Sequence, residues 1–385
     1  MKTVALITDA PYYLDRRAQR SVSVLRELDY QVVVLDQGIN PEISQSLASD
    51  GIQICSSPIP DGGMKRFWWH VTNRLIPMKP YKSRSDWYIQ HLDQINPGIV
   101  HIVNVFALEA VDDYCQRNKT SFVYEAYEYW QKYLYSNTYH LDKRLADYLV
   151  AVERRTVPHA KAVITVSPRI AEWYERDCGA RSTAVIYNTA IEAADISPSL
   201  SAEAHKPLRF VHSGNLFKER NVDALLRAFA LKENGCLTIQ GRGGERPALE
   251  SLVVALDLAE RVSFCDPVPF SELNESLSHH DIGIIALMPH NEEIDAALPN
   301  KVFDYLAAGL GVVAFRTTAL LELEGVDEFA LLVEEPTIEA LSSALNMLAG
   351  DPQKVLRMKE AAQKAARYYS PKQQRATLKK LYQSL

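Results

Sequence analysis

The chain has 385 residues, of which 47% are hydrophobic and 23% are charged, and its net charge is −6 at pH 7. These values are typical of a soluble globular protein, and the length predicts two domains of about 150–200 residues each. The acidic balance gives no reason to expect a nucleic acid as partner. Five scattered cysteines suit neither a disulfide framework nor a zinc site and favour a reducing compartment. Because no signal peptide and no membrane span are evident, we expect a cytoplasmic protein.

Short apolar runs alternate with helical periodicity along the chain, which predicts an α/β fold with parallel sheets. In the first half a helix is expected in RRAQRSVSVLREL, where Val22, Leu25 and Leu28 recur every three residues. The strands predicted there are TVALIT, QVVVLD, GIVHIV, SFVYEA, AVITVS and TAVIYN. Residues 1–190 are therefore predicted to form a Rossmann-like domain.

The stretch at 191–207 is polar and rich in serine and alanine, which predicts a linker. After it the pattern restarts, with predicted strands LRFVHSG, CLTIQG, RVSFCD, DIGIIAL, GVVAF and ALLVEE. Residues 208–370 are thus predicted to form a second doubly wound domain, and 371–385 a last amphipathic helix. Two such domains are expected to face a ligand cleft between them.

Two stretches of the second half combine a turn with positive charge. In HSGNLFKERN, Gly214 ends a strand and Arg220 precedes a helix, which is a favourable place to bind an anion, although a solvated loop arginine is an alternative. In LPNKVFDYLAAG, Asn300 and Lys301 lie where a helix begins, and Asp304 lies one turn inside it. Asn300 is also a preferred N-cap residue, so capping explains it without a ligand. Together the two stretches predict one nucleoside diphosphate, with its ribose hydroxyls on Asp304.

Polar residues also follow two predicted strands of the first half. His101 lies in GIVHIV and Asn104 follows it, while Glu125, Tyr127 and Glu128 lie at the end of SFVYEA. Strand-end polar groups in a cleft are candidates for general bases or for binding hydroxyls. A buried His101 whose hydrogen bonds are satisfied within the fold is an equally good interpretation.

Other ligand sites find less support in the sequence. GRGGER, from Gly241 to Arg246, follows a strand but lacks the third glycine of the dinucleotide-binding fingerprint, so we expect its glycines to shape a turn over the nucleotide. No cluster of His, Asp and Glu has metal-ligand spacing, and no Gly-x-Ser-x-Gly elbow is present. We therefore expect neither a cofactor nor a metal.

Over nearly the whole chain these blocks resemble those of retaining GT-B glycosyltransferases of the family-four type. The resemblance rests on the order and spacing of DRRAQRSVSVLRELDYQVVVL, VYEAYEYW, AVITVS, VIYN, SGNLFKERNVDALLRAF and LPNKVFDYLAAG. It implies that the second domain binds a nucleotide sugar, that the first binds the acceptor, and that the helix at 371–385 returns to the first domain. It also implies transfer of the sugar to an acceptor hydroxyl without an obligatory metal.

The same resemblance assigns roles to individual residues. The donor-binding residues it implies are Gly214, Asn215, Arg220, Gly241, Asn300, Lys301 and Asp304. With His101 and Asn104 included because of their strand-end positions, the predicted acceptor-binding residues are Asp15, Arg16, Asn104, Glu125 and Tyr127, and the predicted catalytic residues are Arg220, Lys301, Glu128 and His101. The two cations among them would neutralise the charge that develops on the leaving diphosphate.

Two positions depart from the family pattern. Tyr127 stands where relatives usually have histidine, so base catalysis at that position is not implied. Many relatives carry two glutamates separated by seven residues, and the first of them falls on Ala296, with Glu292, Glu293 or Asp295 as alternatives in the same loop. These departures leave open a non-catalytic nucleotide-sugar-binding subunit, or a hydrolase or epimerase on the same fold.

Residues 62–85 contain six basic residues and no acidic one, with Phe67, Trp68 and Trp69 beside the first basic pair. Cations next to aromatic rings are typical of a segment at an anionic membrane surface. Packing of the tryptophans into the first domain is the alternative. If the segment is interfacial, we expect a lipid-linked acceptor at the inner face of the plasma membrane, in cell-envelope or surface polysaccharide assembly; a soluble glycan is the acceptor otherwise.

Overall fold

The structure, a computed structural model, describes residues 2–37, 51–57, 78–135, 142–189, 207–231 and 235–385. All but the last residue of the predicted linker lie outside the described residues, as do residues 62–77 of the basic, aromatic segment. The chain forms two compact units, Met1–Tyr187 together with Arg375–Leu385, and Asn188–Gln374. The last helix thus belongs largely to the same unit as the first half of the chain.

The first unit contains a parallel sheet of seven strands in the order β3-β2-β1-β4-β5-β6-β7. The strands are β1 Thr3–Ile7, β2 Gln31–Gln37, β3 Gln53–Ser57, β4 Ile99–Val103, β5 Ser121–Glu125, β6 Ala162–Thr165 and β7 Thr183–Val185. All five residues of β4 are buried, as expected of a central strand in a parallel sheet whose two faces are both covered. The strand order reverses between β1 and β4, which is the doubly wound arrangement.

Among the residues that the structure describes, six α-helices of the first unit precede the second unit in the chain. They are α1 Arg16–Glu27, α2 Met78–Ile95, α3 Leu108–Asn118, α4 Trp130–Tyr133, α5 Lys143–Thr156 and α6 Pro168–Cys178. The start of α1 is fixed by Asp15, whose carboxylate accepts from the backbone N–H groups of Arg17 and Ala18. The start of α6 is fixed in the same way by the Ser167 hydroxyl.

The second unit repeats this plan with a parallel sheet in the order β10-β9-β8-β11-β12-β13. Its strands are β8 Arg209–Ser213, β9 Cys236–Gln240, β10 Val262–Cys265, β11 Ile282–Ile285, β12 Gly311–Phe315 and β13 Ala330–Val333. Its helices are α7 Val222–Ala230, α8 Arg246–Ala255, α9 Phe270–Ser278, α10 Glu292–Ala296, α11 Lys301–Ala307, α12 Thr318–Leu321, α13 Val326–Phe329, α14 Ile338–Gly350 and α15 Pro352–Tyr368. Here the strand order reverses between β8 and β11.

The last helix, α16 Pro371–Gln383, closes the core of the first unit. Its Leu378 and Tyr382 are buried among side chains of β1, β2 and α1. Arg375 and Lys379 on the same helix form ion pairs with Glu27 of α1. Apolar burial and surface charge pairs therefore both hold α16 in place.

Every strand predicted from the sequence is present, and the α/β class with two doubly wound domains is confirmed. One further strand, β3, was not predicted. It lies at the edge of its sheet and pairs with β2, and its sequence QICSS shows no sustained apolar run because none of its residues is fully buried. None of the described helices is both long and apolar enough to cross a lipid bilayer.

Candidate functional site

The candidate donor residues gather at the carboxyl ends of β8 and β11, where the strand order of the second sheet reverses. Gly214 directly follows β8, a 3₁₀ turn covers Lys218–Arg220, and α11 begins at Lys301. Ligands of doubly wound α/β sheets bind at this position. The topology therefore brings together two stretches that are far apart in sequence.

Tyr305 holds α11 against the two strands. Its hydroxyl accepts a hydrogen bond from the backbone N–H of Ser213 at 3.0 Å and donates to the carbonyl of Ile284 at 3.2 Å. Gly283 makes room for the ring, because a Cβ added there would lie 2.3 Å from ring carbons of Tyr305. The start of α11 is thereby fixed relative to the end of β8.

Lys301 lies across Gly214. A Cβ added at Gly214 would lie 2.4 Å from Cε of Lys301 and 2.7 Å from its Nζ, and the φ of Gly214 is +136°. The sequence suggests that this glycine admits a ligand; the structure shows that the lysine side chain takes the space. The glycine therefore serves to bring the Lys301 ammonium onto the turn that follows β8.

Positive charge is concentrated at this turn. Burial and the neighbouring Arg220 guanidinium lower the pKa of Lys301 to about 7, and Asp304 acts in the opposite direction. Within the described part of the chain, neither cation has a hydrogen bond or an ion pair. Asn215 and Asn300 are exposed nearby in sequence, one beside each cation-bearing stretch. An anion would relieve the repulsion between the two cations and supply their missing partner.

The capping interpretation of Asn300 is wrong. Asn300 occupies the N-cap position of α11, but its φ of −53° and ψ of −29° are helical and its side chain makes no capping hydrogen bond. An N-cap residue normally has extended backbone angles and accepts from an N–H of the first turn. Because α11 has seven residues, its dipole is also a minor source of charge, and we attribute the positive potential to Lys301 and Arg220.

The GRGGER turn packs against the donor turn through its backbone. A Cβ added at Gly241 would lie 1.9 Å from the carbonyl oxygen of Gly214, and one added at Gly243 would lie 2.2 Å from that of Leu216. The Gly214 N–H also donates to the Gln240 carbonyl at 2.9 Å. Gly241 thus shapes the turn on which the candidate site rests.

His212 is a residue of this site that sequence reasoning missed. It lies in β8, fully buried, and its Nδ1 is 3.0 Å from the carbonyl of Ile284. Burial, together with Lys301 and Arg220, lowers the pKa of His212 well below its usual value, so the ring is neutral. Its Nε2 is buried with no hydrogen-bond partner among the described residues. The signal in the sequence is a histidine that directly follows the apolar residues Phe210 and Val211 in the strand RFVHS.

The structure narrows the choice of the acidic residue that could take the place of the glutamate missing at Ala296. Ala296 itself is buried at the end of α10. The Asp295 carboxylate accepts from the backbone N–H of Thr318 at 2.9 Å and from its hydroxyl, so Asp295 is engaged at the start of α12. Glu292 and Glu293, in the first turn of α10, remain the candidates.

His101 and Glu125 form a buried network in the first unit. Nδ1 of His101 is 2.5 Å from the Tyr382 hydroxyl, and Nε2 is 3.0 Å from the Glu125 carboxylate. Burial alone would raise the pKa of Glu125, but Arg20, at 2.6 Å, and His101 outweigh it and lower it to about 2. Both ring nitrogens of His101 are hydrogen-bonded and its side chain is fully buried, so we no longer assign it the role of a general base. The Glu125 carboxylate is buried and bound by His101 and Arg20, so we no longer expect it to bind the acceptor.

Glu125→Gln should destabilise the first unit at neutral pH. It leaves Arg20, whose side chain is only 13% exposed, without its counter-ion, which costs on the order of 3–5 kcal/mol. The folded pKa of about 2 lies below the ordinary value, so this stability is present above about pH 4.5 and is lost as the pH falls towards 2. Urea unfolding followed by circular dichroism should show a large difference from wild type at pH 7 and a smaller one at pH 3.

Asp93→Asn is the matched control for that experiment, since Asp93 pairs with Arg117 on the surface of the same unit and both side chains are about half exposed. It should change the free energy of unfolding by less than about 1 kcal/mol. Equal stability of wild type and Glu125→Gln at pH 7 would contradict the role given to the network.

A second polar cluster lies at the ends of β1, β4 and β5. Asn104 donates from its amide nitrogen to the Asp9 carboxylate and, at 2.7 Å, to the Tyr127 hydroxyl. The Arg17 guanidinium lies 3.7 Å from the centroid of the Tyr127 ring. Burial and repulsion from Asp15 raise the pKa of Asp9 to about 6, against the lowering effect of the Asn104 hydrogen bond. Asp9 is absent from the sequence-based site, although it is polar and follows a predicted strand.

Asn104 also carries backbone strain. Its φ is 73° and its ψ is 168°, a region that residues other than glycine rarely occupy, at a cost of about 1–3 kcal/mol. Such strain persists where surrounding structure enforces it, and it concentrates at functional sites.

Three further residues of the first unit that were predicted to bind the acceptor or to act in catalysis, Asp15, Arg16 and Glu128, make none of the contacts described for these two clusters. Asp15 accepts from the Thr8 hydroxyl as well as capping α1, so its carboxylate is occupied within the fold. Arg16 is the first residue of α1 and is half-buried. Glu128 is half-buried, and its backbone carbonyl accepts from the Tyr174 hydroxyl. Among the residues that the structure describes, no group of three or more His, Cys, Asp or Glu could hold a metal ion.

Two family models match the chain, one in each half. The model for Glycosyltransferase Family 4 matches residues 15–190, and the model for Glycosyl transferases group 1 matches residues 207–351. A search of curated proteins finds no match.

Solved structures with the same fold cover the whole chain. Sucrose-phosphate synthase from Thermosynechococcus elongatus is 15% identical with a TM-score of 0.76, covering 100% of this chain and 99% of its own. HepE from Anabaena, in complex with UDP, is 16% identical with a TM-score of 0.71 and full coverage of both chains. The lipopolysaccharide outer core galactosyltransferase WaaB is 13% identical with a TM-score of 0.69, covering 99% of each chain. With both halves matched by glycosyltransferase models and the fold shared along its length, the chain belongs to the GT-B glycosyltransferases.

Proposed function

We propose that the protein transfers a sugar, with retention of anomeric configuration, from a nucleoside diphosphate sugar to an acceptor hydroxyl. The observation that carries this proposal is a pair of cations, Lys301 against Gly214 and the neighbouring Arg220, whose side chains have no hydrogen bond or ion pair among the described residues. A diphosphate provides negative charge of the size and spread that two neighbouring cations can bind. Family membership makes the diphosphate of a sugar donor the fitting anion.

The two cations act on the leaving group. As the bond between the anomeric carbon and the diphosphate breaks, negative charge grows on the phosphate oxygens, and Arg220 and Lys301 stabilise it. Tyr305 and Gly283 hold Lys301 in position, so little reorganisation is needed when that charge appears. Protein cations provide this charge in the proposal, which therefore needs no obligatory metal.

Asp304 is proposed to bind the ribose. It lies one turn along α11 from Lys301, and the electrostatic effect of its carboxylate on the lysine indicates that the two are neighbours. In a nucleoside diphosphate the ribose hydroxyls are close to the phosphates, and a carboxylate can accept from both hydroxyls.

The nucleotide and the acceptor are proposed from similar proteins. HepE was solved in complex with UDP, so we propose a uridine diphosphate sugar as the donor. WaaB acts in the lipopolysaccharide outer core, and by analogy we propose a glycan acceptor in cell-envelope assembly, with the protein peripheral to the membrane.

A non-catalytic nucleotide-sugar-binding protein is the second candidate. It is favoured by Ala296, which is buried and offers no carboxylate where many relatives have a glutamate. Turnover distinguishes the two candidates. Radiolabelled UDP-glucose and UDP-galactose, incubated with a panel of p-nitrophenyl hexosides, should give a labelled disaccharide with the anomeric configuration of the donor. Binding without any product would favour the second candidate, and release of free sugar alone would indicate a hydrolase.

Asp304→Asn should weaken the binding of UDP itself, with or without the sugar. The amide still meets the ribose hydroxyls but loses charge-assisted acceptance, which is worth roughly 1.5–3 kcal/mol. Calorimetric titration measures this directly, and Asp223→Asn, in the first turn of α7, is a matched control. Unchanged affinity for UDP would mean that Asp304 does not bind the ribose.

A further inference from the structure

Asn221 lies directly after Arg220 and has a left-handed backbone, with a φ of 53° and a ψ of 34°. Glycine is the residue that these angles favour, and asparagine tolerates them better than most other residues do. Asn221 occupies the N-cap position of α7, yet its side chain caps no N–H group of that helix. The presence of an asparagine here therefore has to be explained by a contact outside α7.

That contact is with the loop that follows β11. The Asn221 Oδ1 accepts a hydrogen bond from the backbone N–H of Met288 at 3.0 Å, and the Asn221 side chain is half-buried. β11 ends at Ile285, and its neighbour in the sheet is β8, which precedes the turn that carries Arg220. The hydrogen bond thus joins the two chain segments that leave the second sheet where its strand order reverses.

The Arg220 guanidinium has no contact of its own that fixes its position. Among the residues that the structure describes, neither a hydrogen bond nor an ion pair holds it. The turn that carries it lies at the surface, since none of Lys218–Arg220 is buried and Phe217 is half-exposed. The placement of the guanidinium therefore depends on how the backbone is held at the two ends of this turn.

The two ends of the turn are anchored in different ways. Before it, Leu216 is fully buried, and its N–H donates to the Arg242 carbonyl at 2.9 Å. After it, Val222 packs into the hydrophobic core of the second unit. Between the turn and that core, the Asn221 side chain adds the hydrogen bond to the loop after β11. This bond is the contact closest in sequence to the arginine.

We propose that Asn221 is a positioning residue for diphosphate binding, which holds Arg220 in place through its hydrogen bond to the N–H of Met288. This inference rests on the proposed diphosphate site and adds to it a residue outside the set predicted from the sequence. Without the bond, the turn would adopt further conformations in the free protein, and only the fraction with Arg220 in place could bind the diphosphate. The apparent affinity falls in proportion to that fraction.

Asn221→Gly removes the side-chain acceptor and keeps the left-handed backbone accessible. We expect the affinity for UDP to fall by roughly 3–10-fold, which is the contribution of one neutral hydrogen bond. The affinity for uridine, which lacks the diphosphate, should be unchanged. Calorimetric titration with the two ligands measures this difference.

Asp257→Gly is the matched control. Asp257 also has a positive φ, of 56°, and it is exposed in the turn between α8 and β10 of the same unit. The substitution introduces the same flexibility away from the candidate site, so this variant should bind both ligands as wild type does.

The same substitution in an Arg220→Ala background shows whether Asn221 acts through Arg220. There Asn221→Gly should leave the affinity for UDP unchanged, because the side chain that it positions is already absent. A loss of equal size in both backgrounds, an equal loss for uridine, or wild-type affinity for UDP in the single variant would overturn the inference. Equal binding of UDP and uridine by wild type would instead contradict the proposed function.

Discussion

Arg220→Ala should lower kcat by about 10²–10³-fold, which corresponds to roughly 2.7–4 kcal/mol of lost transition-state stabilisation. Arg220 ends the 3₁₀ turn after Gly214, and its charge acts on Lys301, so both cations can meet the same diphosphate. The negative charge on that diphosphate is larger in the transition state than in the bound donor. The loss should therefore appear in kcat more than in KM for the donor.

Steady-state rates at saturating UDP-sugar measure this effect. Arg220→Lys should keep part of the activity, because it retains the charge but loses the bidentate geometry of the guanidinium. Lys218→Ala is the matched control, since Lys218 is an exposed cation in the same turn. Near-full turnover by Arg220→Ala would remove Arg220 from the mechanism.

Lys301→Ala should weaken UDP binding by roughly 2–5 kcal/mol at pH 7, the range measured when one partner of a buried charge pair is truncated. The wild-type affinity should itself depend on pH. The unliganded pKa of Lys301 is about 7, and a bound diphosphate favours the protonated ammonium. Affinity should therefore be highest near pH 7 and should fall by up to about tenfold per pH unit as the pH rises above it.

Calorimetric titration with UDP between pH 7 and 9 tests the sign of this dependence. In that range the terminal phosphate of UDP is already ionised, because such a group titrates near pH 6. Lys301→Arg should bind UDP with little dependence on pH, since arginine stays charged throughout. Wild-type affinity that is constant from pH 7 to 9, or that rises with pH, would contradict the position assigned to Lys301.

The strands were predictable because parallel strands covered on both faces leave unbroken apolar runs, such as IGII in β11 and GVVAF in β12. The exception, β3, is an edge strand whose short, partly exposed sequence carries no such run. Fold class therefore follows from local pattern, whereas a single strand without an apolar run, such as β3, does not.

The residues of the donor site were predictable from the sequence, but the way in which they pack against one another was not. Gly214 is small to admit Lys301, and Asn300 does not cap its helix, and neither fact follows from sequence spacing. The sequence allowed His101 to be either a general base or a buried core residue. Its burial depends on Tyr382 of α16, which lies 281 positions away in sequence. Asp9 was missed because its partners come from strands that only the fold makes adjacent.

The central claim is that the cations at Gly214 bind the diphosphate of a nucleotide sugar. The most direct measurement compares UDP with uridine by calorimetric titration of wild type and of the double variant Arg220→Ala/Lys301→Ala. Wild type should bind UDP at least about 100-fold more tightly than uridine, because two charge-assisted contacts at roughly 1.5–3 kcal/mol each are made by the diphosphate alone. The double variant should bind the two ligands about equally. Equal binding of UDP and uridine by wild type, or an unchanged preference for UDP in the double variant, would contradict the claim.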